Sequence, residues 1–274
     1  MICRSIRYDS LSFNLTQKLF MTTRNWTKDQ TIVALNVYCK IPFNRVSSTH
    51  PLILKYSAVI GRSPNALKMK IGNFGSFDPE LRKRGVVGLA NTSQLDEQIW
   101  TEFENDWERL AMESEMLIAK FSNISIEKSL ELEMPNFPEG KDRAAVVKAR
   151  VNQSFFRAAI LSSYDSTCCI TGLNIPELLV ASHIMPWSIN TKERLNPQNG
   201  LCLNSLHDKA FDKGYISITP DYEMRVSKSL QDISTDSVVN DYFIKYSNVK
   251  IKLPERFMPR KEFLEYHFNN IFIQ

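Results

Sequence analysis

The run "LLVASHIMPWSINTKERLNPQNGLCLNSLHDKAFDKGYISI" (residues 178–218) decides how this chain is read. It begins apolar, Leu178-Leu179-Val180, as a strand packed on a core would, and then sets His183 between Ser182 and Ile184. A polar loop rich in Asn and Pro follows, then Asn199-Gly200, the apolar stretch Leu201-Cys202-Leu203, and a second histidine, His207. Gly214 introduces the strand-like "YISI". The chain has only four histidines, and two of them stand here in a strand–loop–strand–helix order.

These residue types suit one metal-dependent site. A neutral imidazole at a strand end can take a proton from water, because its reference pKa lies near neutrality. A carboxamide can pin a loop's backbone, and an imidazole on the following helix can hold a divalent cation. Phosphodiester cleavage needs a deprotonated water on one side of phosphorus and charge neutralisation on the other. Each residue also has a structural reading. His183 could be a satisfied core histidine, Asn199-Gly200 a type I′ hairpin turn, and His207 a helix cap. Asp208 could be a helix N-terminal charge, and Asp212 half of a salt bridge.

Working outward, a basic helix starting at Arg143 carries Arg150 and Arg157 and leads through "CCITG" (168–172) to the strand. Before it, "EMPNFPEGKD" (133–142), with two prolines and a glycine, reads as a linker, placed at 135–142. Residues 21–134 read as mainly helical. "WTKDQTIVALNVYCKIPF" (26–43) predicts a core-facing helix with Thr27 as its cap and Pro42 as its stop. Pro51 opens a second helix that closes at Gly61, and Ser63-Pro64 cap and open a third. Two short helices joined by a tight glycine turn, with Arg62, Lys68 and Lys70 nearby, fit a helix-turn-helix that lays a polar face on DNA. A scaffold or oligomerisation role fits the same pattern. "SQLDEQIWTEFENDWERLAMESEMLIAKF" (93–121) repeats apolar residues at helical spacing and predicts one long amphipathic helix with a solvated acidic face.

Composition narrows the classes. With 274 residues, 43% hydrophobic and 23% charged, the chain has material for a substantial core. It has no apolar run long enough to span a membrane, and the first twenty residues lack the apolar stretch of a signal peptide. Those twenty read as a loose arm or a mis-assigned start. Five irregularly spaced cysteines argue for a reducing cytoplasm rather than a disulfide scaffold. The net charge is only +4, but residues 1–93 hold fourteen Lys/Arg against four Asp/Glu, and residues 94–138 hold three against eleven. A basic front block either meets a polyanion or is neutralised by the acidic segment packing beside it.

The stretches "CCITG", "ASHIMPW", "NPQNGLCL" and "LHDKAFDKG" together resemble the HNH endonucleases, specifically the restriction-type members, over about residues 143–218. The resemblance implies an α+β chain: a mainly α-helical N-terminal region, then a ββα-metal (His-Me) finger nuclease domain over 143–274. It implies His183 as general base, Asn199 as the brace of the loop, and His207 as holder of a divalent cation, Mg²⁺ or Mn²⁺, with Asp208 or Asp212 assisting. Lys209, Lys213, Arg150 and Arg157 are then candidate phosphate contacts, and Trp187 covers the edge of the site. The implied activity is metal-dependent cutting of double-stranded DNA in bacterial restriction or defence, with a homodimer one way to present two active sites. Two departures from the family pattern stand out. Ser182 sits where many members place an acidic or histidine ligand, and no CxxC pair is present, so structural zinc is not expected. The first keeps a non-catalytic DNA-binding finger as an alternative; an RNA-cutting toxin would use the same chemistry.

Overall fold

The computed structural model describes residues 25–87, 93–131, 140–233 and 235–274. The expected N-terminal arm lies outside them, as does the expected linker up to residue 139. Eight helices come first: α1 (Lys28–Lys40), α2 (Pro51–Val59), α3 (Pro64–Gly75), α4 (Pro79–Lys83), α5 (Gln94–Phe103), α6 (Trp107–Ser122), α7 (Ile126–Ser129) and α8 (Lys141–Ser163). Then come β1 (Leu179–His183), β2 (Gly200–Asn204), α9 (Ser205–Asp212), β3 (Ile216–Ile218), β4 (Met224–Val226), α10 (Lys228–Gln231), α11 (Ser237–Tyr242) and α12 (Lys261–Asn270). The fold is α+β, as expected.

Helix α1 is the axis of the helical part. Thr27 caps it through a capping box with Gln30, and every residue from Thr31 to Cys39 is buried. A helix buried on every side needs neighbours all round, and α3, α5, α6 and α8 enclose this one. Its last carbonyls are held from the far end of the chain. The fully buried guanidinium of Arg256 donates to Tyr38 O (2.6 Å) and Ile41 O (2.8 Å), where a cation also opposes the helix's negative end. The turn from α2 to α3 runs as read: Gly61 has φ +67°, a conformation costly for any residue with a Cβ.

The long acidic helix is corrected to two. Asp106 accepts from Arg109 N and starts α6 afresh, so α5 ends at Phe103. Nor is its acidic face simply solvated. Asp96 is fully buried against Lys70, and Glu102 and Glu115 meet Lys28 (2.9 Å) and Lys40 (2.8 Å). The acidic segment therefore does neutralise part of the basic block.

Helix α8 joins the two parts, packing on α1 and α6 and on β1 and β2. Strands β1 and β2 are antiparallel, with Leu179 opposite Asn204 and His183 opposite Gly200, and α9 packs across both. Gly200 is extended (φ −137°), so no two-residue hairpin turn forms at Asn199-Gly200; the connection is the loop 184–199. A Cβ at Gly200 would collide with Ile160 and Phe156 of α8. Glycine is needed there for close packing, not for a turn.

Candidate active site

His183 closes β1, and three contacts fix its ring. Phe156, from α8, stacks on it with centroids 3.9 Å apart and planes 6° apart, and Trp187 meets it edge-on at 5.4 Å. Nε2 lies 2.9 Å from Arg194 O. A carbonyl can only accept, so Nε2 carries the proton and Nδ1 keeps its lone pair; no hydrogen bond among the described residues engages Nδ1. Burial pushes the ring's pKa below the ordinary histidine value, against the opposing pull of the Arg194 carbonyl and Asp208. The imidazole is therefore neutral at physiological pH.

The loop after β1 is tied down by Asn199, itself 1% exposed. Its Oδ1 accepts from Met185 N (2.8 Å), while Nδ2 donates to Met185 O (3.1 Å) and Glu193 O (3.3 Å). Arg194 Nε donates to Trp187 O (2.8 Å), which sets the carbonyl that holds His183. Neither Phe156 nor this backbone carbonyl carries a signal in the sequence.

Lining the same cavity of about 540 Å³ as His183 are Asp208, Lys209 and Asp212 of α9 and Lys213 just after it. Asp208 and Asp212 are one helical turn apart, so both project to the same side. Burial, and then the neighbouring Asp208 charge, raise the pKa of Asp212, with Lys209 and Lys213 pulling the other way. Two carboxylates that repel each other in a partly desolvated cleft are a donor set a hard divalent cation would relieve. Among the described residues no cluster of three or more His, Cys, Asp or Glu forms, so water and substrate oxygens would have to complete such a site.

His207 is not placed there. Its ring is fully buried on the other side of α9, with Nδ1 accepting from Asn204 Nδ2 (2.7 Å) and Nε2 donating to Tyr242 O (2.6 Å). Both nitrogens are occupied, so the expectation that His207 holds the cation is corrected: it ties α9 to α11. Asn204 in turn caps α9 through His207 N (2.9 Å) and donates its own N–H to Cys168 Sγ (3.3 Å).

The expected DNA contacts are scattered. Lys209 and Lys213 line the His183 cavity. Arg150 is exposed on α8. Arg157 reaches back to Leu179 O (2.7 Å) and Pro176 O (2.9 Å), bracing the approach to β1. Lys68 is exposed on α3. Arg62 packs on Trp26 and donates to Gln30 Oε1. Lys70 is corrected: it is 4% exposed, paired with Asp96 and lies over Trp26 (4.6 Å), so it presents no charge to a groove. His50 caps α2. His267 packs face to face on Phe211 (3.6 Å) and bonds Ser217 and Phe211 O.

An imidazole at the end of the first strand of a ββα unit, opposite carboxylates on its helix, is the arrangement of a nuclease finger. Residues 168–219 match the family model described as HNH endonuclease. No curated protein matches the chain. Among the described residues, no helix is long and apolar enough to cross a membrane.

Proposed function

We propose that the protein is a divalent-cation-dependent endonuclease acting on double-stranded DNA. The observation that carries this reading is the His183 tautomer: Nε2–H is committed to the Arg194 carbonyl, which leaves Nδ1 as a neutral base at a cavity walled by Asp208 and Asp212. In this reading His183 Nδ1 removes a proton from the attacking water. Asn199 keeps Met185 and Glu193 in place and so keeps the Arg194 carbonyl under the ring. Asp208 and Asp212 would hold Mg²⁺ or Mn²⁺, which supplies charge neutralisation at the phosphate and the leaving oxygen. Lys209 and Lys213 attract the phosphates flanking the cut. His207 keeps α9 at its angle to β1. Ser182, whose buried hydroxyl has no hydrogen-bond partner, adds no anionic ligand. A cytoplasmic role in restriction or defence fits this reading, with a homodimer making two cuts.

The test is cleavage of supercoiled plasmid with Mg²⁺, Mn²⁺ or EDTA, by the natural protein and by His183→Ala. Cation-dependent nicking or linearisation that His183→Ala abolishes is expected. Folded protein that binds plasmid and never cuts it would overturn the reading in favour of a non-catalytic finger.

A further inference from the structure

A second cavity, of about 720 Å³, lies behind the loop that holds His183. Its walls come from the start of α6 (Asp106, Glu108), from α8 (Lys148, Asn152) and from the loop itself (Trp187, Arg194). Trp187 lines both this cavity and the His183 cavity. Its ring has His183 edge-on at 5.4 Å and the Arg194 guanidinium at 5.3 Å. An indole and a guanidinium are the two side-chain planes on which nucleobases stack.

The cavity is also lined by hydrogen-bond acceptors, Asn152 and Glu108, with the Lys148 ammonium beside them. Asn152 is 3% exposed, and its Nδ2 donates to Glu108 Oε1 (2.8 Å). Because a carboxylate oxygen there can only accept, the carboxamide cannot be reversed, and Oδ1 is left buried with no partner. A buried acceptor without a donor is unfavourable, and a bound donor would relieve it. Glu108 also takes the Lys148 ammonium on Oε1 (3.1 Å), leaving Oε2 open. The site thus combines stacking planes with hydrogen-bond acceptors, and its indole touches the His183 imidazole.

We propose that this cavity is a subsite for an unpaired or extruded nucleobase bearing an exocyclic amino group, next to the scissile phosphate. Trp187 and Arg194 stack the base, while Asn152 Oδ1 and Glu108 Oε2 accept from its amino group. The proposal rests on the nuclease reading for its substrate, and it makes the enzyme selective for DNA in which a base has left the stack.

The experiment is binding in EDTA, where nothing is cut, followed by fluorescence anisotropy. Four duplexes are compared: fully paired, with one bulged cytosine, with one bulged thymine, and with one bulged abasic residue. About tenfold tighter binding of the cytosine bulge than of the abasic bulge is expected from base stacking, with thymine weaker than cytosine. Trp187→Leu should erase the base-versus-abasic difference, and Asn152→Leu the cytosine-versus-thymine difference. Equal affinity for base-bearing and abasic bulges overturns the subsite while leaving the nuclease reading intact; equal affinity for cytosine and thymine overturns the amino-group assignment. No binding to any duplex overturns both. The contrasts between duplexes are read on the natural protein, so they stand even if a variant fails to fold.

Discussion

The imidazole of His183 lies flat on the ring of Phe156, centroids 3.9 Å apart and planes 6° apart. The stack comes from helix α8, which also packs against α1 and α6 of the N-terminal part. The helical part therefore supports the His183 ring directly. Phe156→Leu keeps an apolar side chain there but removes the flat surface, so the ring can tilt off the Arg194 carbonyl. Expected is a fall in kcat of about tenfold to a hundredfold, the scale of an ångström-sized misplacement, with KM little changed. Single-turnover cleavage beside a melting curve separates this from simple unfolding.

The pH profile follows from the same ring. Burial lowers the His183 pKa, and the base works only when neutral. The acid limb of kcat/KM should therefore have its midpoint below the ordinary histidine value of about 6.5, and activity should persist in mildly acid buffer. Phe156→Leu, by admitting water to the ring, should move that midpoint up towards about 6.5. An acid limb that is the same in both proteins would argue against His183 as the titrating group.

Asp208 and Asp212 carry the next prediction. Asp212→Asn should raise the Mn²⁺ concentration needed for half-maximal cutting by about tenfold or more, and Asp208→Asn likewise. Since burial and Asp208 raise the Asp212 pKa, protons compete with the cation at a higher pH than for an ordinary aspartate. Calorimetric Mn²⁺ binding should weaken as pH falls into that range, and Asp212→Asn should lose this pH dependence. Unchanged Mn²⁺ affinity in both variants would show that the cation sits elsewhere.

How the site could be read from sequence differs residue by residue. The placement of His183 at a strand end and of Asn199 in the loop it ties down was legible because both are local features of the chain. His207 was misassigned for a reason visible in helical geometry. Asp208 and Asp212, one turn apart, reach the cavity together, whereas His207 sits on the side of α9 held against Asn204 and Tyr242. Phe156 was beyond reach, because its partner lies 27 positions on and meets it only through the packing of α8 on β1. Lys70 looked like a surface cation because its partner, Asp96, is on another helix. The break at Asp106 was hidden by apolar spacing that continues across it.

His207 should then behave as a structural strut. His207→Ala leaves the Tyr242 carbonyl without its imidazole donor and takes one acceptor from the Asn204 amide, inside a site that also contacts Phe243 and Tyr246. A loss of about 2–4 kcal/mol in stability is expected, read as a lower denaturant midpoint in EDTA as well as in Mg²⁺. A cation ligand would behave in the opposite way, with destabilisation seen only when the metal is present.

His267 sets a limit on stability in acid. Its ring, stacked on Phe211, donates Nε2–H to Phe211 O and accepts from the Ser217 hydroxyl at Nδ1, so the folded protein holds it neutral. Burial lowers its pKa to about 4, against about 6.5 in the unfolded chain. The unfolded state therefore takes up a proton first as pH falls, and this contribution to stability is fully present above about pH 6.5 and drains away down to about pH 4. At about 1.4 kcal/mol per pKa unit, the loss amounts to about 3 kcal/mol. His267→Gln keeps a carboxamide in hydrogen-bonding reach and cannot titrate. Expected is a variant less stable than the natural protein at pH 7.5, with a shallower fall in unfolding free energy between pH 6.5 and 4. Parallel slopes for the two proteins in urea titrations across that window would rule His267 out as the source.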